Sequence, residues 1–512
     1  MPKTHHLDTA NHQQHNAMLL ILNKPIIGMI SAYIKPAITE KRGKIMKNTK
    51  NLRNLRTRTC VAGLLMLGAT SVNADNWQDA SGLMGAVGAD PNELKFFKDN
   101  NLKLGGWLET SVGANLNATH DGFNGPVTFN DRTAEVQMNQ LYFYLQKAVN
   151  VSGDSFDIGG RADFMYGSDA IFTQAYGNPS YDPTTTAATG GRGDWDLYLS
   201  GDRFYQVALP QAYAEMNLPV GNGVGVKIGH FYTPIGFEVV TSPDNFFVTK
   251  PYTMQYGEPF THTGVLASYT MNSNWAVSAG AVTGSGTGGW DGNFNKNVGN
   301  WSFLGGATWT SDDAGTSLAL TSTAGQQSET NNSAWAMYSL VGKHNFTDKL
   351  HYIIQHDHGF ANNVATGNAS AAATAAAGGS ATVGTQNAEW YGINQYLIYD
   401  VNDKLSAGLR AEWFRDNNGF RVNGPGRCVA GAQPNGHTTC GAAWGGYYGD
   451  NAAYLSQGSG YYALTAGLSY KATKWLNLRP NVRWDMSDQV KAFAGGNSQN
   501  QVLFTADAVI TF

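Results

Sequence analysis

Three histidines and an aspartate lie close together in the chain, and these residue types bind metal ions. They are His351, His356, Asp357 and His358. Successive side chains of a β-strand point to opposite faces, so in a strand Asp357 would point away from the two histidines beside it. Hydrogen bonding to water, or packing at an interface, is then the better interpretation, and we assign no metal ligands.

Two further patterns have spacings that binding sites use. Asp194, Asp196 and Asp202 could bind calcium from a loop, although solvated loop acids show the same pattern. The glycine-rich run at 284–289 has the spacing of a dinucleotide-binding fingerprint, but that fingerprint requires a following helix, and the sequence predicts none there. The spacing of Ser, His and Asp residues does not indicate a hydrolytic active site. We therefore expect neither an enzyme nor a bound cofactor.

The composition excludes several classes of protein. Of the 512 residues, 14% are charged and 42% are hydrophobic, whereas a soluble domain averages about 25% charged and about 45–50% apolar residues. No stretch reaches the roughly 18 consecutive apolar residues of a membrane-spanning helix, and 12% aromatic residues argue against disorder. The chain must therefore form a large folded structure from segments of low hydrophobicity.

The segment 46–74 has the three parts of a secretory signal peptide. Basic residues come first, a short apolar run follows at 60–69, and small residues precede a cleavage position between Ala74 and Asp75. We interpret residues 1–45 as a mis-assigned start or a disordered extension. The basic residues of the signal are Lys47, Lys50, Arg53, Arg56 and Arg58.

Removal of the signal peptide changes the charge of the chain. Residues 1–74 contain 11 basic and 2 acidic residues, so the remaining 438 residues contain 23 basic and 36 acidic residues and carry a net charge of −13. They hold no basic cluster that could neutralise nucleic-acid phosphates, which disfavours nucleic acid as a partner. Export also leads to an oxidising compartment, where Cys428 and Cys440 can form a disulfide.

Beyond residue 102 the sequence repeats one pattern, in which apolar side chains occupy every second position of a segment and a break follows. Leu464, Ala466, Leu468 and Tyr470, for example, share one face. A period of two residues indicates β-strands. The sixteen predicted strands are 102–117, 135–147, 154–167, 203–218, 224–231, 262–272, 275–284, 301–311, 315–323, 334–345, 348–359, 388–401, 403–415, 459–471, 475–486 and 501–512.

The connections between the predicted strands alternate in length. Short turns such as 219–223 and 401–404 alternate with long loops rich in Gly, Asn and Ser. This layout predicts an all-β fold, a transmembrane antiparallel up-and-down β-barrel over 102–512, preceded by a periplasmic lead-in at 75–101. A soluble β-sandwich is the alternative, but sandwiches do not systematically place short turns at one end of the fold and long loops at the other.

The last predicted strand provides a second argument for a closed barrel. A membrane leaves an open sheet edge without partners, so the first and last strands of a barrel must pair. The strand carries apolar side chains on one face and ends on the aromatic residue Phe512. This ending looks like the signal that outer-membrane barrels present to their assembly machinery.

Five runs of residues carry a family resemblance. They are GHFYTPIGFE at 229–238, PDN at 243–245, EPFTHTG at 258–264, GWLE at 106–109 and NQLY at 139–142. From about residue 100 to residue 512 the chain resembles the beta-barrel porin-2 family of Gram-negative bacteria. The resemblance implies a porin-like pore in the outer membrane and names no solute.

The third long loop, 232–261, connects the fifth and sixth predicted strands. In porins the third long loop commonly folds into the lumen and sets its width. Opposite charges that face each other across such a constriction order water and select permeants. We expect arginines on the polar strand face to oppose the loop charges; the alternative is lumenal Arg–carboxylate pairs that only fill and rigidify the barrel. The arginines are Arg161, Arg410, Arg479 and Arg483, and the loop charges are Glu238, Asp244, Lys250 and Glu258.

These features predict a passive diffusion channel for ions and small hydrophilic solutes. One alternative is a barrel that serves as a surface scaffold, an adhesin or a sheath for a partner protein, and another is an outer-membrane hydrolase. The acidity of the mature chain favours cations, whereas an arginine-lined wall favours anions, so the selectivity stays open. The expected partners are outer-membrane lipid, small hydrophilic solutes and the barrel assembly machinery, and a homotrimer follows by analogy alone.

Overall fold

The computed structural model of the chain describes residues 77–117, 122, 124–173, 205–283, 301–326, 334–366, 384–419, 421–422, 458–494 and 497–512. All of them belong to the unit Gly68–Phe512. Several residues singled out in the sequence lie outside the described residues. They are Ala74 and Asp75 at the cleavage position, Asp194, Asp196 and Asp202, the run 284–289, and the pair Cys428 and Cys440.

Among the described residues, seventeen β-strands form one antiparallel sheet. Consecutive strands pair with each other, except that β4 and β5 both pair with β3, and β17 pairs with β1 from Trp107↔Thr511 to Asn115↔Leu503, so the sheet closes into a barrel. The strands are β1 Leu102–Asn115, β2 Val136–Lys147, β3 Asp157–Gly167, β4 Gln206–Ala208, β5 Ala212–Leu218, β6 Val224–Tyr232, β7 Thr261–Thr270, β8 Trp275–Thr283, β9 Trp301–Thr310, β10 Thr316–Gln326, β11 Ala334–Thr347, β12 Leu350–Thr366, β13 Gly384–Asn402, β14 Leu405–Asp416, β15 Ser459–Lys471, β16 Leu476–Ser487 and β17 Asn500–Thr511.

Strands β4 and β5 are two parts of one barrel strand. Both pair with β3, β4 through Met165↔Ala208 and β5 through Ala162↔Ala212. The break between them contains Pro210, which has no N–H to donate to a sheet. The barrel therefore has sixteen strand positions, which confirms the predicted antiparallel barrel of sixteen strands.

Strands β12 and β13 extend further towards the long loops than the sequence predicts. The predicted strands end at 359 and begin at 388, whereas the ladder continues to Thr366 and starts at Gly384. The added residues are mostly small or polar, so the alternation of apolar side chains fades there. Main-chain hydrogen bonds do not depend on that alternation, and a register shift between Ala361 and Val364 carries the ladder past an irregular point.

The two faces of the sheet differ in the way that a membrane barrel requires. On β10, Leu318 and Leu320 are about half exposed, while Thr321 and Thr323 on the other face are buried. Aromatic side chains such as Trp275 and Tyr470 lie exposed near strand ends, as in an interfacial girdle. The buried face, which points inside the barrel, is rich in polar residues, because it does not meet lipid.

The connections alternate between short turns at one end of the barrel and long loops at the other. Several short helical segments occur outside the strands: Trp77–Asp79, Leu83–Ala86, Pro91–Glu93, Lys95–Asp99, Ala170–Thr173, Ser242–Asp244 and the π-helical turn Thr253–Gly257. Among the described residues no helix is both long enough and apolar enough to cross a membrane. The longest connection that is described throughout runs from β6 to β7.

The first residues described are attached to the short-turn end of the barrel. Asn92 receives a hydrogen bond from the amide of Leu104 and donates one to its carbonyl, each of 2.8 Å. The amide of Lys474, in the turn before β16, donates to the carbonyl of Gln78 over 3.1 Å. These contacts connect the helical segments to β1 and to a turn beside the closing strand.

A charge on the apolar outer face tests the membrane-facing assignment. Leu320 lies about half exposed on that face of β10, and Leu320→Arg should lower the free energy of unfolding by about 2–4 kcal/mol, because arginine near the bilayer midplane is costly. Leu116→Arg is the matched control, since Leu116 lies just beyond the end of β1 and the cost near an interface is about 0–1 kcal/mol. Equal effects in urea titrations of vesicle-embedded protein would contradict the assignment.

Candidate functional site

Residues 233–260, which connect β6 and β7, are unusual for a loop because most of them are buried. Every residue from 247 to 262 is buried. We call residues 233–260 the tethered segment. Its backbone N–H and C=O groups are largely out of reach of water, so protein side chains must bond them.

Arg410 on β14 bonds the middle of the tethered segment. Its Nη1 donates to the Thr249 carbonyl over 2.8 Å and to Glu238 Oε1 over 2.7 Å, and its Nε donates to Glu412 Oε1 over 2.9 Å. Tyr396 on β13 donates its hydroxyl to the same Glu238 oxygen over 3.0 Å. Arg410 is fully buried, so its charge is balanced by carboxylates and not by solvent.

Arg479 on β16 bonds two carbonyls in the first half of the segment. Its Nη1 donates to the carbonyls of Ser242, over 2.8 Å, and Asn245, over 2.6 Å. Its Nη2 reaches Glu109 Oε1 on β1 over 3.0 Å, and its Nε donates to Asp507 Oδ2 on β17 over 2.9 Å. One guanidinium therefore joins the segment to the closing strands of the barrel.

Arg483 lies four residues further along β16, on the same face. Its Nη1 donates to the Lys250 carbonyl and lies 3.0 Å from Glu412 Oε1, and its Nε donates to Asp485 Oδ1 over 2.7 Å. Tyr252 of the segment donates its hydroxyl to Asp485 Oδ1 over 2.9 Å, and its amide donates to Glu412 Oε2 over 2.9 Å. Arg483 and Tyr252 thus contact the same two carboxylates, Glu412 and Asp485.

These contacts form two clusters of buried ion pairs, one around Arg479 and one around Arg410 and Arg483, which we together call the network. Lys250 Nζ lies 3.7 Å from Glu238 Oε2, and burial lowers the pKa of the Lys250 ammonium although Glu238 opposes that shift. In the network every charge has an opposite charge beside it, which is the condition under which buried charges are tolerated. Its cations are Lys250, Arg410, Arg479 and Arg483, and its carboxylates are Glu109, Glu238, Glu412, Asp485 and Asp507.

The end of the segment contacts β12 through Glu258. Gln355 Nε2 donates to Glu258 Oε1 and, over 2.8 Å, to Asp357 Oδ2. Burial and the neighbouring Asp357 carboxylate raise the pKa of Glu258 well above its usual range. Gly236 lies against the same carboxyl group at φ +87°, and a Cβ there would lie 2.0 Å from Glu258 Oε2. Only glycine fits this position.

The resembling runs at 106–109, 139–142 and 229–238 meet at one place, where the hydroxyls of Tyr142 and Tyr232 lie 3.1 Å apart. Trp107 stacks on Tyr142 with ring centroids 3.9 Å apart, and its Nε1 donates to Gln140 Oε1 over 2.8 Å. Gln140 Nε2 donates to the Val240 carbonyl over 2.9 Å. These runs are therefore contiguous in the fold, and Gln140 bonds the tethered segment from the side of β2.

Two of the predicted site residues lie away from this network. Arg161 on β3 donates to Asp163 Oδ1 on its own strand over 2.7 Å; among the described residues it makes no ion pair with the tethered segment. Asp244 is exposed and accepts a hydrogen bond from Thr241 over 2.6 Å. The structure brings Arg410 to Glu238, and Arg479 and Arg483 to carbonyls of the segment.

Sequence reasoning missed Glu109, Glu412, Asp485 and Asp507, although a signal for two of them was present. Arg410 and Glu412, like Arg483 and Asp485, are two residues apart on one strand and so share a face. Such a spacing predicts neighbouring charges. Glu109 and Asp507 pair with Arg479 across strands, which depends on the register.

Asp357 and the two histidines beside it lie on opposite faces of β12, as the sequence predicts. Asp357 is fully buried, while His356 and His358 lie on the outer face. His358 Nε2 lies 2.9 Å from Glu389 Oε1, and His351 Nε2 lies 3.1 Å from Asp400 Oδ2. Among the residues that the structure describes, no group of three or more His, Cys, Asp or Glu could hold a metal ion.

The closed barrel of sixteen strand positions, apolar outside and charged inside, is the architecture of an outer-membrane channel protein. A family model described as "Putative beta-barrel porin-2, OmpL-like" matches residues 101–512. The chain belongs to this family.

Solved structures of other outer-membrane barrels resemble the fold at low identity. OprB of Pseudomonas putida has a TM-score of 0.48 at 12% identity, over 85% of this chain and 99% of its own. An anion-selective porin from Comamonas acidovorans has a TM-score of 0.47 at 8% identity, over 80% and 99%. The channel DcaP of Acinetobacter baumannii has a TM-score of 0.45 at 9% identity, over 80% and 97%. No curated protein sequence matches the chain.

Removal of Arg410 tests the buried network. Arg410→Ala leaves Glu238 and Glu412 buried without this cation, and we expect a loss of about 3–5 kcal/mol in the free energy of unfolding. Arg415→Ala on the same strand is the control, because Arg415 lies 3.7 Å from Asp488 in a partly exposed pair, and such pairs contribute less than about 1 kcal/mol. Urea titration in lipid vesicles measures both, and similar losses would contradict the network.

The raised pKa of Glu258 predicts a dependence of stability on pH. The neutral carboxyl is favoured in the folded state, so its contribution is complete below the ordinary value of 4.5 and is lost as the pH rises through the raised folded pKa. Glu258→Gln keeps a neutral side chain at all pH values. The temperature at which the folded band disappears on gels should fall less in this variant than in the wild type as the pH rises. Parallel curves would contradict the prediction.

Proposed function

We propose that this protein is a passive outer-membrane diffusion channel for ions and small hydrophilic solutes, and that the tethered segment lies in the barrel lumen and sets its width. One observation carries the proposal. The segment is bonded to buried-face side chains of well-separated strands, Gln140 on β2, Gln355 on β12 and Arg479 on β16. A connection between β6 and β7 can reach all three strands through the interior of the barrel.

The size of the barrel supports a conducting path beside the segment. Barrels of sixteen to eighteen strands enclose an aqueous channel, whereas barrels of about eight strands are filled by their own side chains. The tethered segment occupies part of that space with a buried stretch from 247 to 260. We infer that solutes pass along the remaining inner wall, where side chains are half-buried or exposed.

In this proposal the arginines of the network position the segment and do not themselves contact solutes. Arg410, Arg479 and Arg483 are at most 1% exposed, and each donates both to a carboxylate and to a carbonyl of the segment. This role combines the two interpretations of the arginines that the sequence allows. Charges of the wall face charges of the segment, and the ion pairs also make the lumen more rigid.

The proposal includes the route and assembly of the protein. The segment 46–74 has the composition of a signal peptide, which would deliver a mature chain beginning at Asp75 to the outer membrane. Cys428 and Cys440 would form a disulfide after export. We infer recognition of Phe512 by the barrel assembly machinery and assembly into a homotrimer, the latter by analogy with other porins.

Planar bilayers test the proposed channel. Purified folded protein should produce stepwise increases in conductance, whereas heat-unfolded protein from the same preparation should not. A bilayer that stays sealed at high protein load would overturn the proposal.

The role of the tethered segment is tested by Arg479→Ala. This change removes the donors to the carbonyls of Ser242 and Asn245, and the loosened segment should give larger and noisier single-channel currents. Arg415→Ala, which removes a cation from a partly exposed pair, should leave the conductance unchanged. If both variants conduct like the wild type, the network does not hold the segment in the conducting path.

A further inference from the structure

A second set of charged residues on the buried face lies outside the network that binds the tethered segment. Lys103 on β1, Arg161 on β3 and Lys227 on β6 alternate around the wall with Tyr144 on β2 and Tyr213 on β5. We call these five residues the basic–aromatic strip. They lie towards the short-turn end of the barrel.

The strand register brings the strip together. Gln146 of β2 is the register partner of Lys103 on one side and of Arg161 on the other, and Arg161 is in turn paired with Tyr213. Adjacent strands lie about 4.8 Å apart, so cations two strands apart are separated by about 10 Å. That spacing forms a row of positive charges on one side of the wall.

The tyrosine rings of the strip lie close to its cations. Arg161 Cζ lies 4.3 Å from the ring centroid of Tyr144, and Lys103 Nζ lies 6.0 Å from the same centroid. Lys227 Nζ lies 4.9 Å from the ring centroid of Tyr213. Cation–π contacts of this kind restrict the side chains without neutralising their charge. All three cations are at least partly exposed, in contrast to the buried arginines of the network.

Carboxylates leave most of this charge uncompensated. No carboxylate among the described residues lies within the 4.0 Å ion-pair distance of Lys103 or Lys227. Asp163 pairs with Arg161, but it is buried and also accepts a hydrogen bond from Gln211 over 2.9 Å. Glu215 is the register partner of Lys227 and lies beyond that distance. The two lysines are therefore available to an anion.

We propose that the basic–aromatic strip is a binding site for small organic carboxylates on their way through the lumen. The inference rests on the proposed channel function. The strip offers two such positions, and a single small carboxylate occupies one at a time. At one position Lys103 supplies donors beside Tyr144. At the other Lys227 supplies them beside Tyr213, and in each case the ring supplies flat apolar surface for the carbon skeleton. Fixed donors on a wall concentrate anions beside them and raise their flux relative to cations.

Reversal potentials in a potassium chloride gradient test the charge of the strip. The double variant Lys103→Gln/Lys227→Gln should lower the chloride-to-potassium permeability ratio about threefold, because each removed charge weakens the attraction of the wall for a hydrated anion. The matched control is Lys349→Gln/Lys404→Gln, which removes the same charge from two short turns at the same end. That control should keep the wild-type ratio.

Benzoate added to the bath tests the ligand class. It should reduce the single-channel current of the wild type and of the turn control, with benzamide as the uncharged comparison, and the reduction should be lost in Lys103→Gln/Lys227→Gln. If that variant keeps the wild-type selectivity and the wild-type response to benzoate, the proposed carboxylate site is overturned and the proposed channel function is not. Bilayers that never conduct would overturn both.

Discussion

Backbone groups that water cannot reach need partners within the protein, and this constraint governs both the wall of the barrel and the segment between β6 and β7. In the wall, the pairing of β17 with β1 removes the last open edge. In the tethered segment no ladder is available, so side chains of distant strands serve instead. Arg479 and Arg410 bond carbonyls of the segment directly, and Glu412 accepts the amide of Tyr252.

The charges recruited for this purpose explain the composition of the buried face. A guanidinium can bond several carbonyls at once, but in a buried position it needs carboxylates beside it. The network supplies them on neighbouring strands, as with Asp507 and Glu109 around Arg479. Buried ion pairs add little stability compared with apolar packing, while the loss of one partner is costly. The network therefore fixes the position of the segment more than it stabilises the barrel.

Much of the fold follows from the sequence, because a period of two residues and the alternation of turn lengths are local patterns. Strand ends were less predictable: β12 and β13 continue where apolar alternation fades, and Pro210 divides one strand. The arginines were identifiable from their face, and the i, i+2 pair Arg483 and Asp485 is visible in the sequence. The partners Glu109 and Tyr252 depend on register and on the path of a long loop, which no local pattern encodes.

The most direct test of the account is the conductance of a channel without the tethered segment. Thr233 and Phe260 are joined by a backbone hydrogen bond of 3.0 Å, so a short Gly-Ser turn can replace residues 235–258 without moving β6 and β7. If the segment sets the width of the lumen, the single-channel conductance of this variant in planar bilayers should rise several-fold over that of the wild type. A folded variant with wild-type conductance would contradict the account.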